Sequence, residues 1–229
     1  MSSLKPRTFD SNIIDFGPFM DREPAQDVIK AEPMFFNSSV AFGLERCGPV
    51  TRAFLRSLPG VWDGAVFDSR IHMLMPGWYP AIPGWHHDDV PRPPIPVGQH
   101  FATAGQPDYE TPRYHAEHIM GLANGTICPT QFALGKAHVP AVPEGDLIYR
   151  TWHPVVESRI KQGELELLEA PSLHMIYFDW QTFHQGRKST GNGWRWFGRV
   201  TRNSDRCKEI TNEIRHQVQV YLEFPMEGW

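Results

Sequence analysis

Residues 85–92 read WHHDDVPR, two histidines directly before two aspartates. Imidazole and carboxylate are both metal donors, and in an extended segment residues two apart point the same way. His86 and Asp88 would therefore face one side, and His87 and Asp89 the other. Either pair can grip a cation, but the two pairs cannot share one. A closed site needs a further donor from elsewhere in the chain.

His184 is the strongest candidate among eleven histidines. It follows an apolar stretch and a turn, SLHMIYFDWQTFHQGR, and precedes another strand-like run, WRWFGRVTR. Two histidines and one carboxylate leave coordination positions open, a donor set that suits non-haem Fe(II) oxygenases. The run after His184 places Arg195, Phe197, Arg199 and Thr201 on one face by the period of two. Two arginines on one face of an apolar strand are costly to bury without anions. Their planar forks suit carboxylates.

With WHHD at 85–88, His184, and Arg195 eleven positions later, the chain resembles the Fe(II)/2-oxoglutarate-dependent dioxygenases over about residues 66–203. The resemblance implies a mainly β fold with a few helices, a double-stranded β-helix or jelly roll. It implies Fe(II) on His86, Asp88 and His184, 2-oxoglutarate and O2 as co-substrates, and Arg195 holding the distal carboxylate of 2-oxoglutarate. The pair His86/Asp88 is preferred over His87/Asp89 because Trp85 precedes it, as in several branches of the family, and Val90-Pro91 then leads the chain away. Asp88 stands where related halogenases carry Gly or Ala, so hydroxylation of an unactivated C–H is the expected outcome. Arg199 is expected either to bind a carboxylate of co-substrate or substrate or to form a buried ion pair. Thr130 is a candidate hydrogen-bond donor to the co-substrate. Arg70, His72, Trp78 and Trp85 are candidate substrate-pocket residues. The alternative is a surface position for Arg70 and His72, and a core position for the tryptophans.

These residues need elements to hold them. GPVTRAFLRSLPG (48–60) predicts a short helix ended by Pro59-Gly60. VFDSRIHMLM (66–75) predicts a strand, with Phe67, Ile71, Met73 and Met75 on one face and Asp68, Arg70 and His72 on the other. Residues 76–99 are too proline-rich for a helix or a central strand and read as a kinked loop. Residues 91–99 and 100–113 would border the site as a lid or specificity element. Further strands are expected at 114–122, 130–135, 145–151, 164–169, 173–179, 194–202 and 216–223, and a helix at 153–163. Residues 1–45 give no clear element. One domain is expected: a wrapping segment to residue 65, a core over 66–203 and an extension over 204–229.

Composition bounds the function. The chain has 229 residues, of which 41% are hydrophobic and 21% charged, so a folded domain with a real core is expected. A net charge of -4 argues against a general affinity for nucleic acid. The three cysteines, Cys47, Cys128 and Cys207, match no zinc spacing and no disulfide framework. No run approaches the roughly 18 apolar residues of a membrane span, and the first ten residues lack the apolar core of a signal peptide. The expected setting is cytoplasmic, and the expected partner a small-molecule substrate. The same chemistry on a protein side chain or nucleobase is the alternative. A cupin-type metal protein or a non-catalytic ligand-binding jelly roll would dispense with 2-oxoglutarate.

Overall fold

Twelve strands and four helices carry the chain, in a computed structural model that describes residues 4–92, 107–143 and 146–222. In chain order the strands are β1 (Arg7–Ser11), β2 (Ile13–Pro18), β3 (Met34–Phe36), β4 (Ser38–Ser39), β5 (Val66–Leu74), β6 (Glu117–Ala123), β7 (Thr130–Val139), β8 (Glu166–Glu169), β9 (His174–Asp179), β10 (Phe183–Gly186), β11 (Gly193–Arg202) and β12 (Glu213–Arg215). The helices are α1 (Gln26–Lys30), α2 (Val40–Arg46), α3 (Pro49–Arg56) and α4 (Ile148–Lys161). The protein is mainly β, and every strand pairing is antiparallel.

The larger sheet runs β2-β9-β6-β11-β5-β4. The smaller places β1, β8 and β10 against β7, and β3 pairs with β12 apart from both. Alternation along the strands gives the larger sheet two different faces. Phe67, Ile71, Ile119, Trp196 and Val200 join Val50, Phe54 and Leu55 of α3 in one apolar cluster. On the other face Met120, Leu122, Ile176 and Phe178 pack with Phe132 of β7, which locks the two sheets together. A third cluster sets Trp152 and Val156 of α4 against Phe9, Ala137 and Phe183. Gly121 and Gly198 sit directly opposite each other. A Cβ on Gly198 would strike the Trp196 indole, and one on Gly121 would lie 2.9 Å from Phe54, so glycine lets these rings lie flat on the sheet.

Several expectations are corrected here. The predicted strand at 145–151 is the start of α4: Ile148, Tyr149, Trp152 and Val156 are buried at helical spacing, and the helix tolerates Pro154. Over 216–222 the predicted strand is irregular chain with a single bridge, Tyr79 to Tyr221, and Glu223 lies outside the described residues. Residues 1–45, read as featureless, supply β1 to β4, α1 and α2. Their short strands sit beside β5, β7, β9 and β12, and partners so distant in sequence leave no local periodicity to detect. His184, expected at a strand edge after a turn, stands in a strand of its own, β10. The proline-rich run from 93 and the residues to 106 lie outside the described residues. Among the described residues no helix is long and apolar enough to cross a membrane.

Candidate metal centre and its cavity

The two histidines of the candidate site meet through the backbone. His86 and His184 form an isolated antiparallel bridge, each N–H donating to the other's carbonyl at 3.1 Å. Residues directly opposed in such a pair project to the same side. The turn between β9 and β10 sets the register: Gln181 N–H and the Thr182 hydroxyl donate to Asp179 Oδ1 at 2.9 and 3.1 Å. Phe183 N–H then donates to Ser11 Oγ at 3.0 Å. His184 thus arrives as the second residue of β10.

Each ring has one nitrogen occupied and one facing the centre. His86 Nδ1 is 2.8 Å from the Gly84 carbonyl, and His184 Nδ1 is 2.9 Å from the Thr182 carbonyl. A carbonyl only accepts, so Nδ1 carries the proton in both rings and Nε2 keeps its lone pair. Gly84 reaches the needed conformation at φ 122°, where other residues are strained. Asp88 lies with Oδ1 3.8 Å from His86 Nε2 and Oδ2 3.1 Å from His184 Nε2. The three donor atoms fall within 4.8 Å of one another. His184 Nε2 is buried and has no hydrogen-bond partner. Two imidazole nitrogens and a carboxylate converging this closely could hold a metal ion.

Electrostatics keep the donors in their ligating forms. Burial, then the neighbouring His184, pushes His86 down to about 4, so it is neutral at pH 7. Burial alone would raise Asp88, but Arg199 and then His184 hold it well below the usual carboxylate range. Arg199 ion-pairs with Asp88, and its Nη2 is 3.5 Å from Asp89. Arg206 extends the chain of alternating charges, at 3.6 Å from Asp89 and 2.6 Å from Asp68. Of the two readings of Arg199, the structure contains the buried ion pair.

The donors open on a cavity of about 680 Å³ between the two sheets, lined among others by Arg70, His72, Met120, Thr130, Phe178 and Arg195. Arg195 is 2% exposed and makes one long hydrogen bond, 3.4 Å to Thr130 Oγ1. No described carboxylate pairs with it, and burial lowers its pKa. A buried guanidinium in that state is an anion site in waiting. The polar face of β5 is therefore the cavity floor.

The tryptophans and the second pair lie elsewhere. Trp85 is core: it packs with the α4 cluster and its indole donates to Glu157 at 2.7 Å. Trp78 is not among the cavity-lining residues, where Pro80, Ala81 and Ile82 stand instead. His87 turns away from the donors to the Tyr109 hydroxyl, 2.8 Å from its Nδ1. Asp89 turns toward Arg199 and Arg206. Asp68, expected only on the polar face of its strand, and Arg215, Gln217, Val218, Gln219 and Tyr221, the last four expected only as part of a strand, also line the cavity.

No family model matches the chain, nor does any curated protein or solved structure, so the function has to be argued from these residues alone.

Proposed function

We propose that the protein is a non-haem iron oxygenase that couples oxidative decarboxylation of 2-oxoglutarate to hydroxylation of a small molecule. One observation carries the reading. A His86–Asp88–His184 donor set and a buried arginine, Arg195, with no carboxylate partner among the described residues line the same cavity. A donor set of this kind suits Fe(II), and a lone buried guanidinium suits the far carboxylate of a keto acid. We read the two face-to-face sheets as the halves of a double-stranded β-helix. The cavity volume falls within the range of small-molecule sites.

The roles divide as follows. His86, Asp88 and His184 would hold Fe(II), which supplies O2 activation when bound. Arg195, with Thr130 beside it, would orient 2-oxoglutarate by charge-assisted hydrogen bonds. Arg199 keeps Asp88 ionised and fixes its orientation. The Gly84 and Thr182 carbonyls hold the two imidazoles in the tautomer that presents Nε2. Met120, Phe178 and Phe197 line the cavity with apolar surface and keep water from the reacting carbon.

The test is anaerobic addition of Fe(II) and 2-oxoglutarate with visible spectroscopy. A weak charge-transfer band that needs both additions is expected. It should vanish in His184→Ala and Asp88→Ala and persist in Asp89→Ala. Absence of the band in the wild-type protein would overturn the reading.

A further inference from the structure

Pairing of β5 with β11 lays down the cavity floor in three rows. Asp68 faces Arg199, Arg70 faces Phe197, and His72 faces Arg195. Opposed residues share one side of a sheet, and all six line the cavity. The charges of these rows are not equally matched. Asp68 and Arg199 belong to the ion-pair network beside the metal donors. Arg215, also on the cavity wall, is paired with Glu213 at 3.2 Å. Arg70 has no such partner. Its Nη1 donates to the carbonyls of Phe35 and Ser69 at 3.3 and 2.9 Å, and the guanidinium lies over the Phe36 ring at 5.5 Å. No carboxylate of the described residues comes within ion-pairing distance of it, and its Nε and Nη2 make no hydrogen bond there.

His72 adds an independent observation. It is 2% exposed, and neither ring nitrogen makes a hydrogen bond of good geometry, the nearest backbone acceptor being that of Pro80. Burial, then Arg195 and Arg70, pushes its pKa down to about 3, so the ring is neutral. A neutral imidazole carries one donor and one acceptor. Even with the Pro80 carbonyl near one nitrogen, the other is left unsatisfied in a buried wall, which is costly and which native proteins avoid unless a ligand or water completes the set.

We propose that the molecule oxidised at this site carries an oxyanion, a carboxylate or a phosphate, seated on Arg70 with a hydrogen bond from His72. This rests on the reading of Arg195 as the co-substrate's anchor, which leaves Arg70 as the remaining unpaired cation of the floor. The oxyanion would lie on the β5 side of the cavity, between the donors and the 215–221 segment. The anionic end would then fix the register of the substrate, and Phe197 and Met34 would meet its apolar part.

The experiment needs neither iron nor 2-oxoglutarate. The full chain, labelled with ¹⁵N-arginine and purified without added metal, is titrated with acetate and with inorganic phosphate at constant ionic strength. The Nε–Hε signals of Arg70 and Arg195 are assigned by their loss in Arg70→Lys and Arg195→Lys. The Arg70 signal should shift saturably, at roughly tenfold lower anion concentration than the exposed Arg46, as expected of one charge-assisted hydrogen bond in a shielded site. His72→Asn should raise that concentration several-fold. The tighter of the two anions identifies the chemical class. An Arg70 signal that merely tracks Arg46, or saturation confined to Arg195, would overturn the proposal. A missing charge-transfer band would leave these signals readable, so the two readings fail separately.

Discussion

His86 and Asp88 look into the cavity, while His87 and Asp89, the same two residue types one position on, turn away from it, His87 to an aromatic cluster and Asp89 to Arg199 and Arg206. His87 lies among aromatic rings, with its centroid 3.9 Å from that of Phe183 and 4.7 Å from that of Phe9. Its Nδ1 meets the Tyr109 hydroxyl, which is 2.9 Å from the Tyr149 hydroxyl, and that group donates to the His87 carbonyl at 2.9 Å. Asp89 takes φ 49°, a left-handed conformation that aspartate tolerates, and so leaves the alternation of the preceding residues. Burial raises its pKa, partly offset by Arg199 and Arg206. His87 Nε2 is as bare as His184 Nε2. The difference is convergence: three donor atoms meet on the cavity side, and among the described residues no such group forms around His87. A free ring nitrogen is a capacity, and neighbours make it a site.

The largest expected effect of breaking this contrast is on metal binding. By equilibrium dialysis with Zn(II), Asp88→Ala and His184→Ala should weaken affinity by roughly 100-fold or more, whereas His87→Ala and Asp89→Asn stay within a few-fold. Equal losses in Asp88→Ala and Asp89→Asn would erase the distinction between the two pairs. Folding stability should respond in the opposite order. His87→Ala empties a closed aromatic box and should cost about 3 kcal/mol in urea denaturation. His86→Ala loses mainly the bond to Gly84 and should cost about 1 kcal/mol. A larger loss at His86 than at His87 would assign the structural role to the cavity side.

A third effect, smaller than the loss at His87, is titration, read at His72 on the cavity floor. Its pKa near 3 in the fold lies below the unfolded value of about 6.5. The unfolded chain therefore takes up this proton first. Stability is full above pH 6.5 and falls as the pH drops toward 3. At pH 5 the loss from this one ring is about 2 kcal/mol. Denaturation at pH 7.5 and 5.0 should show the wild-type protein losing that much more than His72→Asn. Equal losses would mean that the ring is already hydrated in the fold. His87, held well below its ordinary range by burial and then by His184 and His86, contributes in the same direction on the packed side.

Legibility in the sequence followed the range of the interactions. β5 and β11 were readable because period-two alternation is local, and α3 because Pro59-Gly60 closes it. α4 was half missed because its first turn, Ile148 to Thr151, is apolar enough to pass for a strand, and only burial of Tyr149 and Trp152 against β1 and β7 makes it helical. β1 to β4 escape local periodicity because two- to six-residue strands are stabilised by distant partners, as far as Met34 to Arg215, 181 residues apart. Arg199 was legible as a buried cation, but its partner was not, because Asp88 lies 111 residues earlier.

By itself the sequence determined which side chains could do chemistry: His86, Asp88, His184 and Arg195 are identifiable from residue type, alternation and local context. It also determined that β5 and β11 each have a polar face, since alternation is a property of the extended backbone alone. Only the tertiary structure decided that those two faces are one surface, because strand register depends on hydrogen bonds between distant segments. It likewise decided between His86/Asp88 and His87/Asp89. Both pairs satisfy the same local geometry, and the choice was made by the bridge to His184 and by the turn at Asp89, which commit one pair to the cavity and the other to the interior.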